Sequence, residues 1–183
     1  MTRTSIFLFH PNLDQSTVNL RLAQAAEGQE GVQIRDLYGL YPDFEIDVNA
    51  EQDILEASDR IVLQFPMYWY STPALLKQWE DDVLLYGWAY GSTGNALAGK
   101  ELLVAVSTGG AGDAYSRESS YGYTITELLR PLQATANMVQ MTYLEPFTTT
   151  GTLTITDEAL AQRVEDYAAT LASKDLPVLE PHG

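Results

Sequence analysis

The chain alternates between short, β-prone apolar runs and longer stretches whose apolar residues recur at helical spacing. Residues 5–9 (SIFLF), 32–37, 61–65 (IVLQF), 102–107 (LLVAVS) and 138–143 predict five strands. Between the first two, residues 16–26 predict a helix with Ser16 as its N-cap and Val18, Leu22 and Ala25 on one face. Asn49 can cap a short helix ending at residue 57, and Pro73 suits the first position of a helix reaching about residue 85. Residues 124–136 predict another helix, and residues 157–173 a closing amphipathic one capped by Thr156 or Asp157. Strands that alternate with helices require right-handed crossovers, hence a parallel sheet covered on both faces. Five such units make a doubly wound α/β domain, whose ligand lies beyond the carboxyl ends of the strands. No repeat or linker interrupts the pattern, so residues 1–174 read as one domain and 175–183 as a loosely attached tail.

Composition narrows the function. A chain of 183 residues suits a single domain that buries roughly 70% of its unfolded surface. No apolar run is long enough to span a bilayer, and the first residues, MTRTSIFLFHPN, lack the apolar core and cleavage site of a secretion signal. The expected location is therefore cytoplasmic. The absence of cysteine excludes disulfides, thiolate metal sites and thiol nucleophiles. The formal net charge of −15, from 25 acidic against 10 basic residues, repels nucleic acid and anionic lipid, and no basic stripe offsets it. Against that background, residues 1–13, 61–79 and 102–112 contain no acid. Buried strands explain the apolar halves of these stretches. They do not explain why the polar loops PNL, PMYWYSTP and STGGAG are also acid-free, whereas an anionic ligand would.

Those loops follow predicted strands one, three and four, on the expected ligand edge. In HPNLDQSTVN, the side chains of Ser16, Thr17 and Asn19 join the free backbone N–H groups of a helix N-terminus, the ingredients of a phosphate cradle. Simple capping by Ser16 is the better account of this loop taken alone, and His10 at a strand end is as readily structural. In PMYWYSTP, Tyr68, Trp69 and Tyr70 follow a buried strand and cannot all enter the core; a platform for a flat ring accounts for the cluster better. In STGGAG, Gly109 and Gly110 allow either a tight turn or close backbone approach to a ligand.

The segments DLYGLYPDFEID, FPMYWYSTPALLKQW, YGWAYG, ALAGK, STGGAG, RPLQATA and LEPF together resemble the flavodoxin-like NAD(P)H:quinone oxidoreductases. Within them, the chain is most similar to the ancillary subunits of glutathione-gated potassium-efflux systems. The resemblance implies a five-stranded parallel sheet of order 2-1-3-4-5 and a bound FMN. By it, His10, Ser16, Thr17, Val18 and Asn19 hold the phosphate and ribityl chain. Pro66, Met67, Tyr68 and Trp69 lie along the isoalloxazine, and Ser107, Thr108, Gly109 and Gly110 close over its other side. It further implies a homodimer with flavins at the interface, NAD(P)H as transient co-substrate, and ping-pong hydride transfer through flavin N5 to a quinone.

Family members place a Tyr and a His after the Gly-rich loop to support the charge of reduced flavin. Tyr115 matches the first, but Tyr121 stands at the expected histidine. A phenol, with an ordinary pKa of about 10, donates a hydrogen bond but does not become cationic. Tyr115 and Tyr121 are the catalytic candidates, with Arg117 a further source of support and simple pocket lining the alternative role for both tyrosines. A hydrolase reading on Ser107 fails because position 105 is Ala where a nucleophile elbow needs Gly, and His10 and His182 are poorly placed. Asp81 and Asp82 suit a solvated helix face better than a metal site. A simple flavodoxin-type electron carrier would have a hydroxyl- and Gly-rich first loop, which is absent. The competing class is a flavin-bearing regulatory subunit, peripheral at the inner membrane, of a potassium-efflux transporter, with incidental turnover.

Overall fold

The computed structural model describes residues 2–180, so His182 lies outside the described residues. Its parallel sheet runs β2 (Val32–Asp36), β1 (Thr4–Leu8), β3 (Arg60–Pro66), β4 (Glu101–Ser107), β5 (Thr142–Tyr143), the order 2-1-3-4-5. A sixth short strand, β6 (Phe147–Thr149), also pairs with β4, beyond β5 along the same strand. Expected as one strand at 138–143, the fifth position is two short pieces displaced toward the C-terminus. Residues up to Met138 instead finish helix α6 (Arg130–Met138). The gap between β5 and β6 holds Pro146, which has no N–H to give a ladder, and Glu145, whose N–H donates to Pro177 O at 2.8 Å.

Alternation along the strands divides the core. Phe7, Ile61, Leu63, Phe65, Leu102, Val104 and Val106 face one way, against α3 (Val48–Ala57), α4 (Ala74–Val83) and α6. Ile6, Val62, Leu103 and Ala105 face the other, against α1 (Thr17–Ala26) and α7 (Asp157–Ala172). Ser16 caps α1 by accepting from Asn19 N–H, and the buried face is Val18, Asn19, Leu22, Ala23 and Ala26, one residue beyond the expected Ala25. Asp47 rather than Asn49 caps α3, and Thr156 caps α7. The helix expected over 124–136 is broken at Leu129 into α5 (Ile125–Leu128) and α6, with Pro131 in the first turn of α6, where a missing N–H costs nothing.

The tail is not loose where it is described. Val178 bridges antiparallel to Leu144, Leu179 N–H donates to Tyr143 O, and Gln133 Nε2 donates to Leu179 O. This strap covers the outer edge of β5, which would otherwise present unpaired backbone groups.

The segment after β2, including α2 (Leu37–Leu40), is anchored by Glu51, a carboxylate with no exposed surface. Glu51 accepts from Arg35, from Tyr41 Oη at 2.7 Å and from Trp79 Nε1 at 3.0 Å. Burial, with Glu51 beside it, pushes the Tyr41 phenol up to about 12, so it acts as a donor throughout the physiological range. A buried charge with one partner removed is costly because the remaining groups cannot return to water. Glu51→Gln is expected to lower unfolding free energy by about 3 kcal/mol at neutral pH, measured as a shift in urea midpoint with unchanged slope.

Candidate functional site

The register of the central strands sets Leu8 beside Gln64 and Pro66 beside Ser107. The three loops that leave these strands therefore emerge at one edge and enclose a cleft of about 400 Å³. Its walls are His10, Gln15, Ser16, Thr17, Val18 and Asn19 from the first loop, Pro66, Met67 and Tyr68 from the second, and Ser107 and Gly109 from the third. Thr152 and Leu153 complete it. No carboxylate is among them, although the chain carries 25 acidic residues. Asp14 and Asp36 line an adjoining cleft that shares His10 and Gln15.

Two bonds join the loops. Asn19 Nδ2 donates to Ser107 Oγ at 2.9 Å, and Met67 N–H donates to Ser107 O at 2.8 Å. Ser16 Oγ accepts from Asn19 N–H at 3.0 Å, which settles one first-turn donor of α1. The N–H groups of Thr17 and Val18 lie ahead of the first turn's ladder and are available to an anion. Asn19 is 2% exposed, yet its Oδ1 has no partner among the described residues. His10 Nδ1 accepts from Asn12 N–H at 3.1 Å, which leaves the ring proton on Nε2, and burial holds its pKa below the usual histidine value. These donors fit a phosphate, and the unpaired Asn19 oxygen fits a ligand hydroxyl or N–H.

Five candidates lie outside the cleft walls: Trp69, Thr108, Gly110, Tyr115 and Tyr121. Thr108 is buried and donates through Oγ1 to Gly110 O at 3.0 Å. Tyr70, Tyr121 and Tyr115 form an edge-to-face series with centroids 5.7 and 5.3 Å apart. Gly110 lies under it: a Cβ there would come within 3.3 Å of the Tyr115 ring and 3.4 Å of the Tyr121 ring. Arg117 is committed elsewhere, since its guanidinium pairs with Glu127 at 2.7 Å and holds that carboxyl down to about 2. Thr152 and Leu153 escaped the sequence reading because the fifth strand was placed too early; once β6 ends at Thr149, the loop after it falls on the ligand edge.

A larger groove, about 590 Å³, lies between α4 and α6, with Tyr90, Leu128, Pro131 and Met138 among its walls. Glu80 sits on that groove, and burial pushes its carboxyl up to about 7. Ser71 and Thr72, at the end of the second loop, also line this groove, but no residue of the first or third loop does.

The second loop carries strain. Tyr68 and Ser71 exchange two backbone hydrogen bonds of 3.0 Å, closing a two-residue turn whose central residues, Trp69 and Tyr70, have φ of 48° and 63°. Such turns ordinarily use Asn-Gly, because a side chain with a full Cβ costs about 1–2 kcal/mol in the left-handed region. Trp69 is also 93% exposed, so burial does not repay that cost. Trp69→Asn is expected to raise the stability of the ligand-free protein by about 0.5–1 kcal/mol, read from its urea midpoint.

Comparison with known proteins agrees with this architecture. The family model described as flavodoxin-like fold matches residues 2–171. The chain is 45% identical over 166 residues to the glutathione-regulated potassium-efflux system ancillary protein KefF of Enterobacter sp. (strain 638), spanning 91% of this chain and 93% of the relative. General stress protein 14 of Treponema denticola, solved in complex with FMN, aligns with a TM-score of 0.87 and 40% identity over 92% of this chain and 97% of that one. The NADPH-quinone reductase of P. pentosaceus aligns with a TM-score of 0.86 and 36% identity over 94% and 99%. The sheet order and the family match agree, and the chain belongs to the flavodoxin-like family.

Proposed function

We propose that this protein is an FMN-dependent NAD(P)H:quinone oxidoreductase. The observation that carries the reading is the acid-free cleft at the ends of β1, β3 and β4, where a helix N-terminus and His10 offer donors to a phosphate in a chain of net charge −15. Supporting it, a 40% identical structure is described as a complex with FMN, and a 36% identical one is described as an NADPH-quinone reductase.

In this reading, Thr17 and Val18 N–H, with the side chains of His10, Ser16, Thr17 and Asn19, hold the phosphate and ribityl chain. Pro66, Met67, Tyr68 and Trp69 lie along the isoalloxazine, and Ser107, Thr108, Gly109 and Gly110 close the other side. When bound, FMN would supply ping-pong two-electron hydride chemistry between NAD(P)H and a quinone. Ser107 Oγ, whose lone pair is engaged by Asn19 Nδ2, keeps its proton for donation. Tyr115 is assigned as the hydrogen-bond donor that supports negative charge on the reduced ring. Tyr121 stacks between Tyr115 and Tyr70 and orients the Tyr115 ring. Its phenol does not replace a histidine's capacity to become cationic. Trp69, Tyr70, Tyr86 and Tyr123 are exposed aromatics suited to burial against a second copy, and this reading takes the protein as a cytoplasmic homodimer.

A second reading, a flavin-bearing subunit of a potassium-efflux transporter, is favoured by the 45% identity to KefF. No helix among the described residues is long and apolar enough to cross a membrane, so association with a transporter would be peripheral.

Reconstitution tests the first reading. The purified protein is expected to bind FMN stoichiometrically and then oxidise NADH or NADPH when menadione is added. A protein that takes up no FMN sinks both readings; one that binds FMN without menadione-dependent turnover leaves only the second. Tyr115→Phe is expected to slow stopped-flow reduction of bound FMN by about tenfold or more. An unchanged rate removes Tyr115 from the catalytic set.

A further inference from the structure

Beneath the cleft lies a buried polar chain that packing does not require. Gln64 stands in central strand β3 with no exposed surface, on the face where Ile6, Val62 and Ala105 are apolar. A buried amide at such a position is costly unless every polar atom is paired. Both of its atoms are. Tyr167 Oη, on α7 and itself fully buried, donates to Gln64 Oε1 at 3.0 Å. Gln64 Nε2 then donates to the backbone oxygen of Asn19 at 2.9 Å.

The direction of this chain is fixed by chemistry. A phenol buried away from charge stays protonated, and burial pushes the Tyr167 pKa far up. It must donate to Gln64, which turns the amide so that its NH₂ faces α1. Asn19 is the third residue of α1, next to the two first-turn N–H groups left for an anion. Its side chain is tied in turn to Ser107. The first turn is therefore pinned from below by β3 and sideways by β4.

We propose that Gln64 and Tyr167 are positioning residues that aim the first turn of α1 at the phosphate of a bound flavin. The inference rests on the FMN reading above and specifies how the phosphate end of that site is held. Neither residue lines the cleft; both act through Asn19.

The test separates aim from stability. Removing one partner strands a buried polar atom, whereas removing both with similar shapes is nearly neutral for folding. The double variant Gln64→Met, Tyr167→Phe is therefore expected to melt within a few degrees of wild type. Its affinity for FMN, followed by quenching of flavin fluorescence, should fall about tenfold. Its affinity for riboflavin, which has the ring but no phosphate, should be unchanged. If the double variant does not fold, Tyr167→Phe alone, assayed below its melting temperature, carries the same FMN-to-riboflavin comparison. A ratio that does not move, or equal losses for both flavins, overturns the inference. A wild-type protein that binds neither flavin overturns the proposed function and this inference with it.

Discussion

Parallel pairing brings the ends of β1, β3 and β4 to one edge, and the Asn19–Ser107 hydrogen bond fixes the loops that leave them. Ser107 is engaged twice. Its hydroxyl oxygen accepts from the first helix, and its carbonyl accepts from Met67 in the second loop. Three segments far apart in sequence thus meet at one buried residue. Pairing alone sets strand positions; it does not set the direction of the loops beyond them. That direction comes from one side-chain and one backbone bond at a buried residue, where each bond is strong and each unpaired group costly.

Charge is arranged to the same end. Several basic side chains are engaged away from the cleft. Arg3 pairs with Asp59, Arg60 with Glu101, Lys77 with Asp81, and Arg163 with Asp166, while Lys100 donates to carbonyls at the end of α3. The cleft walls offer the first-turn N–H groups of α1 and His10 but no lysine, arginine or acid. Neutral donors that are fixed in place suit the phosphate of the proposed flavin.

The sequence made the layer architecture legible because the apolar runs of β1, β3 and β4 are continuous and the capping residues Ser16 and Thr156 stand where helices begin. The acid-free loops were legible for an equally direct reason: absence of one residue type needs no knowledge of the fold. The fifth strand was not. Residues 138–143 are apolar enough for a strand, but α6 extends to Met138, and Pro146 divides what remains. That error hid Thr152 and Leu153. Gln64 was hidden differently. One amide in an apolar run reads as a small imperfection, and only the positions of Tyr167 and Asn19 give it a purpose.

Two departures from ordinary design meet at this edge, and they differ in kind. Gln64 costs desolvation, which Tyr167 and Asn19 offset by pairing its amide oxygen and nitrogen within the protein. The turn at Trp69 and Tyr70 costs backbone strain, and only part of it is offset, by the contact of Tyr70 with Tyr121. For Trp69, nothing in the described chain returns the cost, since the ring is almost wholly exposed. Strain of this kind, unrelieved within a fold, clusters at sites of binding. The departure at Gln64 is thus compensated inside the fold, and the one at Trp69 is not.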